Sequence, residues 1–396
     1  DWGNLASYTS GYDGFLSIDR NRKSQSQEIR VDSSENLSVN ALFSKWTAGI
    51  YFSNLSEETN FNYSDLNPDN TPALQAIVKS DYNTQSISAF SKAEYLINKD
   101  SMFTFGLRAE YLDTSFSSTT DPDNDYDGNL SPTNSVLNND TLFGGSINYQ
   151  NKVTADYTLF LSYNHGYKAA GVNSTSFRPV DSSFPITFDT EKINTYEIGL
   201  VYLNPKKTYQ AKLNLFYLAR KNAQLRDAGG SKGFFTYFTS NQGDATHYGA
   251  EYQSQWNFTP NWSFENNISL LKARIDESHR DLGNAPSYKF SCLLKYNPNN
   301  AFYSSISING SDDYYEENGH DLKREAYTIV NASIGYAKNH WDISLWAKNL
   351  FDHDFTQRVF YFDNYHPEDN YADDSKRFYK ASGDPLNYGV TINYDW

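Results

Sequence analysis

The chain alternates. In its last eleven residues, LNYGVTINYDW at 386–396, Leu386, Tyr388, Val390, Ile392, Tyr394 and Trp396 are apolar or aromatic. The residues between them, Asn387, Gly389, Thr391, Asn393 and Asp395, are small or polar. A β-strand sends successive side chains to opposite faces, so this segment has one apolar face and one wet face. The same period of two recurs along the chain. Phe103, Phe105, Leu107, Ala109 and Tyr111 alternate with Thr104, Gly106, Arg108 and Glu110. Arg108 and Glu110 would be costly against lipid and suit a polar lumen. No helix is predicted.

The pattern predicts sixteen strands, at 4–20, 24–35, 43–61, 80–98, 103–111, 141–150, 153–170, 192–203, 208–227, 234–258, 262–275, 286–296, 301–315, 326–338, 341–362 and 386–396. Their connections alternate between short turns (99–100, 151–152, 204–207, 259–261, 298–300 and 339–340) and generally longer loops, such as 117–139 and 171–191. Gly243 lies within the run 234–258, where it could mark a bulge. An exposed apolar face on a terminal strand is an aggregation hazard in water and an asset in a closed membrane barrel. Bacterial barrels place short turns on the periplasmic side and long loops outside, so the C-terminus is expected in the periplasm. Trp46, Trp256, Trp262, Trp341 and Trp396 all fall near the predicted short-turn ends. Interfacial girdles place indole rings there, at headgroup depth. Packing of a water-soluble sandwich core is the other reading of those rings.

Composition sharpens this picture. Tyr (32), Phe (26) and Trp (7) make 16% of the chain aromatic, yet mean hydropathy is low. That combination suits a barrel, whose lipid face needs only every second residue. There is no run of about 18 apolar residues to form a membrane helix. A net charge of −15 without a basic stripe excludes nucleic acid as a partner. Cys292 is the only cysteine. Enzyme signatures are missing: the seven histidines are scattered without HExxH, and no GxSxG or phosphate-cradling glycine loop occurs. No catalytic residue, cofactor or metal site is expected.

Several segments resemble TonB-dependent outer-membrane receptors: SQEIRV at 26–31 with WTAGIYF at 46–52, GYKAAGVN at 166–173 with TYEIGL at 195–200, NQGDA at 241–245 with GAE at 249–251, KNLFD at 348–352, and the terminal aromatic strand. The resemblance implies a barrel of about 22 strands closed by an N-terminal plug. It also implies energy drawn from the TonB system and capture of a scarce small-molecule ligand, often an iron chelate, by outer loops and plug. Tyr388, Val390, Ile392, Tyr394 and Trp396 are then the signal read by the barrel-assembly machinery, and lipid and lipopolysaccharide are the surroundings. No plug, TonB-contact segment or first six or so strands is recognised, so residues 1–396 are expected to be a C-terminal portion of such a barrel. DPLNYG at 384–389 also lacks the Arg that commonly follows Pro in the family. The rival expectation is a complete passive porin of sixteen strands. A barrel-anchored adhesin would need an appended passenger domain.

Two acidic runs bear on ligand chemistry. DPDNDYDG at 121–128 superficially suggests a calcium loop, but Asn134 stands where the bidentate Glu belongs, which favours a solvated loop. The run 363–374 combines His366, Glu368, Asp369, Asp373 and Asp374 with Tyr365 and Tyr371, next to Tyr361. Tyr361, Tyr365, His366 and Tyr371 are the candidate ligand-loop residues; a merely solubilising loop is the other reading.

Overall fold

The structure is a computed structural model that describes residues 13–33, 43–66, 72–120, 134–173, 185–229, 236–298, 301–318, 321–363 and 376–396. The first five strands are long: β1 (Asp13–Asp32), β2 (Lys45–Leu66), β3 (Pro72–Asn98), β4 (Ser101–Thr120) and β5 (Asn134–Lys152). The shorter β6 (Tyr157–Lys168) leads through a small hairpin, β7 (Gly171–Val172) and β8 (Thr187–Phe188), to β9 (Glu191–Leu203) and β10 (Tyr209–Lys221). A second hairpin, β11 (Gln224–Gly229) and β12 (Thr236–Asn241), precedes β13 (Ala245–Thr259), β14 (Trp262–Ile275), β15 (Tyr288–Tyr296) and β16 (Phe302–Ser311). A third, β17 (Tyr314–Tyr315) and β18 (Lys323–Arg324), stands before β19 (Tyr327–Lys338) and β20 (Trp341–Lys348). The fourth, β21 (Thr356–Asp363) and β22 (Lys376–Ser382), is followed by the last strand, β23 (Asn387–Tyr394).

Fifteen of these strands form one antiparallel sheet in chain order, from β1 at one edge to β23 at the other. The four hairpins lie outside it, all on the long-loop side. No helix occurs among the described residues.

Where the strands differ from the sequence expectation, the backbone gives the reason. The expected pair 4–20 and 24–35 is one strand from Asp13, because Asn21, Arg22 and Lys23 stay in the ladder opposite Glu58, Glu57 and Ser56. Residues 4–12 lie outside the described residues. β3 starts at Pro72, well before residue 80; as the first residue of a strand, Pro disturbs the ladder least. The loop expected at 117–139 is shorter, since Ser118 still pairs with Asn134. Conversely, the runs expected at 208–227, 234–258 and 341–362 are each broken. Asn222 (φ 58°), Gly243 (φ 82°) and Asn349 (φ 49°) adopt the left-handed conformation there and turn the chain out of the sheet.

The two faces of the sheet separate by chemistry. Ile50, Phe52, Ile87, Tyr111, Ile198, Leu215, Leu270 and Val390 are exposed on one face. On the other, Ser53 pairs with Ser86 (2.9 Å), Thr84 with Thr114 (3.2 Å) and Arg108 with Glu110 (3.2 Å). The alternation that places Arg108 and Glu110 away from the apolar face is therefore observed. Aromatic side chains also fill the space above glycines directly opposite them: Phe90 on Gly49, Phe160 on Gly199, Phe216 on Gly249 and Trp346 on Gly389. A side chain at those glycines would collide with the ring, so each pair packs only in this size order.

At the short-turn ends the rings form a continuous chain, Tyr157–Tyr202–Tyr209–Trp256–Phe258–Trp262–Tyr296, with neighbouring centroids 4.6–6.3 Å apart. Trp341 and Trp396 flank Tyr394 in the same way, at 4.7 and 5.2 Å. A girdle of rings at one level is what an apolar–aqueous boundary selects.

Candidate functional site

The long-loop side carries the chemistry. Its base is a knot around Glu191, the first residue of β9, whose side chain is fully buried. Arg220, near the end of β10, donates from Nε to Oε1 (2.6 Å) and from Nη2 to Oε2 (2.8 Å). The Gln224 backbone N–H donates to Oε2 (2.7 Å), and Lys168 Nζ lies 3.4 Å away. Burial favours the neutral acid, but the hydrogen bonds from Arg220 and Gln224 and the two cations outweigh it. Glu191 is held below the ordinary carboxylate range. Gln224 Nε2 in turn donates to the carbonyls of Ala169 (2.8 Å) and Asp189 (2.9 Å). The ends of β6, β9, β10 and β11 are thus tied together. The GYKAAG and NQGDA segments, singled out for their family resemblance, meet at this knot: Lys168 comes from the first, and Asp244 of the second accepts from the Asn222 N–H (2.9 Å).

Above the knot, the hairpins carry guanidinium groups stacked on tyrosines. Arg226 of β11 lies 3.7 Å from the Tyr237 ring centroid of β12. The Tyr237 hydroxyl donates to Glu317 (3.4 Å), reaching the loop between β17 and β18. Arg324 grips Glu316 through two hydrogen bonds (3.0 and 2.9 Å) and lies over Tyr314 at 5.1 Å. Arg280, from the loop after β14, covers Tyr315 at 4.4 Å, pairs with Asp321 and donates to the Glu317 carbonyl (3.4 Å). Burial pushes the phenols of Tyr237 and Tyr314 upward. Glu317 adds to the effect on Tyr237, against Arg226 and Arg358, so both phenols are neutral hydrogen-bonding groups at neutral pH. Arg226 is exposed on the Tyr237 face and could meet a planar or anionic aromatic ligand, whereas Tyr314 and Glu316 are buried and pair with Arg324 inside the rim.

Of the expected ligand-loop residues, Tyr361 stands in β21, paired with Phe378 of β22. Tyr365, His366 and Tyr371 lie outside the described residues, as does the acidic run 121–128. The terminal residues Tyr388, Val390, Ile392 and Tyr394 share the apolar face, with Trp396 exposed beyond them. Among the described residues, no group of three or more His, Cys, Asp or Glu is placed to hold a metal ion. Sequence reasoning missed Arg226, Arg280, Tyr314 and Arg324. Arg280 and Tyr237 find partners in a separate loop, and only Asn222, Gly243 and Asn349, as residue types tolerant of the left-handed conformation, hinted that hairpins leave the sheet there.

An antiparallel sheet with an apolar outer face, a polar inner face, a ring girdle and all elaboration on one side is the wall of a transmembrane β-barrel. Residues 1–350 match the family model described as TonB dependent receptor-like, beta-barrel, and the chain belongs to that family. It is 25% identical over 318 residues to the pesticin receptor of Yersinia enterocolitica, covering 77% of this chain and 44% of that protein. The Yersinia pestis pesticin receptor is 26% identical over 226 residues, covering 54% of this chain and 32% of that one. Among solved structures, the ferric yersiniabactin uptake receptor FyuA from Yersinia pestis superposes with a TM-score of 0.76 at 18% identity. That match covers 97% of this chain and 55% of FyuA. The siderophore receptor PiuA from Acinetobacter baumannii gives a TM-score of 0.67 at 13% identity, over 96% of this chain and 56% of PiuA. These likenesses establish the barrel fold, and the chain spans less than half the length of the curated relatives it matches.

Proposed function

We propose that the chain forms part of the barrel of an outer-membrane receptor that takes up a scarce small-molecule ligand, of the ferric-siderophore type, with energy from the TonB system. Membership of the family carries this reading and favours it over a passive porin. The names of the similar proteins, receptors for ferric yersiniabactin and other siderophores, supply the ligand class. The exposed Arg226, stacked on Tyr237, supports it, because ferric chelates with aromatic ligands are planar in parts and often anionic. Tyr361, Tyr365, His366 and Tyr371 are proposed to extend that surface.

In this reading the short-turn side and the C-terminus are periplasmic, the apolar face meets lipid, and the hairpins meet the exterior with its lipopolysaccharide. Tyr388, Val390, Ile392, Tyr394 and Trp396 are proposed as the segment engaged by the barrel-assembly machinery. Topology supports treating residues 1–396 as part of a larger barrel. With fifteen antiparallel strands, β1 and β23 run in the same direction, so closing the ring by antiparallel pairs takes an odd number of further strands.

The test is growth of a strain carrying the full-length gene, with and without functional TonB, in iron-limited medium supplied with defined ferric chelates. Growth that requires the gene, TonB and one chelate class is the expected result. Steady solute flux through the receptor in liposomes without an energy source would favour the porin.

A further inference from the structure

Toward the long-loop side, one strand inside the sheet has a neighbour on one flank only. β5 and β6 pair from Lys152↔Thr158 to Gly145↔His165, and there they part. β6 runs on to Lys168 against β9 alone, while β5 runs on to Asn134 against β4 alone. Two contacts on the lumen side fix the fork. The Tyr167 hydroxyl passes Gly144 to donate to Glu110 of β4 (2.7 Å), and the Thr190 hydroxyl donates to the Asp140 carboxylate. A cavity of about 430 Å³ lies in the fork against residues 138–143.

The ladder decides what faces that space. The Lys152 N–H donates to the Asp100 carbonyl (2.7 Å), and the β4–β5 register continues without a bulge to Ser118↔Asn134. Backbone groups of an antiparallel strand point alternately to its two neighbours, so the even-numbered residues of β5 bond β4. The N–H and C=O groups of Leu137, Asn139, Thr141 and Phe143 point into the fork. None of them has a hydrogen-bond partner among the described residues. Nothing blunts this edge: residues 135–144 contain no Pro, Lys or bulge, and their one charge, Asp140, is taken up by Thr190. Leu137 and Phe143 are exposed on its outward face.

We propose that this edge takes up an extended segment of another protein at the cell exterior, which adds to β5 as a further strand. The proposal rests on the orientation given under Proposed function, with the long-loop side outside. Backbone chemistry selects the occupant. Four donors and four acceptors repeat every two residues, about 6.8 Å, and another polypeptide strand carries the matching repeat. Apolar residues at alternate positions of that strand would cover Leu137 and Phe143. The hairpin nearest the fork, β7–β8, is held the other way, because Asn173 bonds the carbonyl and the N–H of Thr239 on β12 (2.8 Å each). A second copy of the receptor does not fit either. Two barrels in one membrane are related by rotation about its normal, which makes strands tilted by roughly 40° cross at about 80° instead of lying side by side.

The test uses the full-length receptor purified from outer membranes in detergent, with a soluble peptide of alternating valine and threonine as the probe. In the free receptor the amides of Asn138, Asp140 and Leu142 should exchange slowly, and those of Leu137, Asn139, Thr141 and Phe143 quickly. Saturating peptide should slow the second set alone, by about tenfold or more. Thr141→Pro removes one N–H from the open edge and no bond to β4. It should weaken peptide binding by about tenfold and leave the fold intact, whereas Thr141→Ala should bind as the wild type does. Protection without alternation, or none at millimolar peptide, overturns the proposal. So do odd-numbered amides already slow without peptide, since the receptor's own chain would then cover the edge, and so does a receptor dimer that Thr141→Pro dissociates. Leu137→Cys in a Cys292→Ser background, labelled in intact cells by a membrane-impermeant maleimide, checks orientation separately. Labelling without peptide-dependent protection rejects the docking edge alone, whereas labelling only after lysis rejects the orientation.

Discussion

The wall from β1 to β5 and the wall from β6 to β23 obey the same rule up to the top of the apolar belt and different rules above it. Below that level both alternate apolar outside with polar inside. Above it, β1–β5 continue as sheet, whereas the later strands stop and give way to hairpins seated on the Glu191–Arg220 pair, joined by Arg280 to Asp321 and, in the case of Arg324 and Glu316, braced internally. Backbone conformation decides which happens. All the described residues with positive φ lie beyond residue 200, among them Asn222, Gly243 and Asn349 at the points where strands leave the sheet. One region keeps its polar groups in a regular ladder, where inward neighbours such as Ser53–Ser86 and Thr84–Thr114 pair across adjacent strands. The other folds its charged groups onto one another and onto aromatic rings.

The sharpest way to break this comparison is to cut the knot beneath the rim. Arg220→Ala would leave Glu191 buried without its bidentate partner, and losing one member of a buried pair costs about 3–5 kcal/mol. Urea-induced loss of the heat-modifiable band on gels should shift accordingly, while amide exchange in β2–β4 should stay as in the wild type. A charge in the belt comes next. Leu215→Arg should destabilise by about 2–4 kcal/mol if it faces the middle of the bilayer, against about 0–1 kcal/mol for Asn83→Arg above the belt. Refolding titrations into lipid vesicles would measure both.

Gly199→Ala should cost about 1–3 kcal/mol by driving the Phe160 ring from its seat, and Phe160→Ala in the same chain should recover part of the loss. The smallest effect expected is that of pH. The folded structure holds Glu191 below its ordinary range, so its contribution is complete at neutral pH. That contribution is lost as pH falls through the folded value, below the ordinary carboxylate range, where the acid becomes neutral in both states. Amide protection factors at 220–229 and 236–245 should fall at acid pH, and the response should vanish in Glu191→Gln.

Much of the fold could be read from period two alone, because a barrel strand writes its two environments into alternate residues. The terminal strand and the tryptophan girdle are the clearest cases. Asn21-Arg22-Lys23 misled as a turn because three polar residues in series look the same in a loop and in a ladder that stands in water. The hairpin rim was less legible. Its contacts join residues far apart in sequence, as Tyr237 joins Glu317, and no local pattern encodes which loop will meet which. The knot was visible only through family-like segments, and its partner Arg220 carried no signal at all.

The claim beneath all of this is that one face of the sheet meets lipid up to a defined line and water above it. Nitroxide labels placed one at a time on the outward residues of β3 from Lys79 to Ala89, with Cys292 replaced by serine, test it directly. Relaxation by oxygen should dominate at Ile87 and Ala89 and relaxation by a polar nickel chelate at Lys79, Asp81 and Asn83, with the crossover near Gln85. Oxygen dominance along the whole series, or nickel dominance at Ile87, would contradict it.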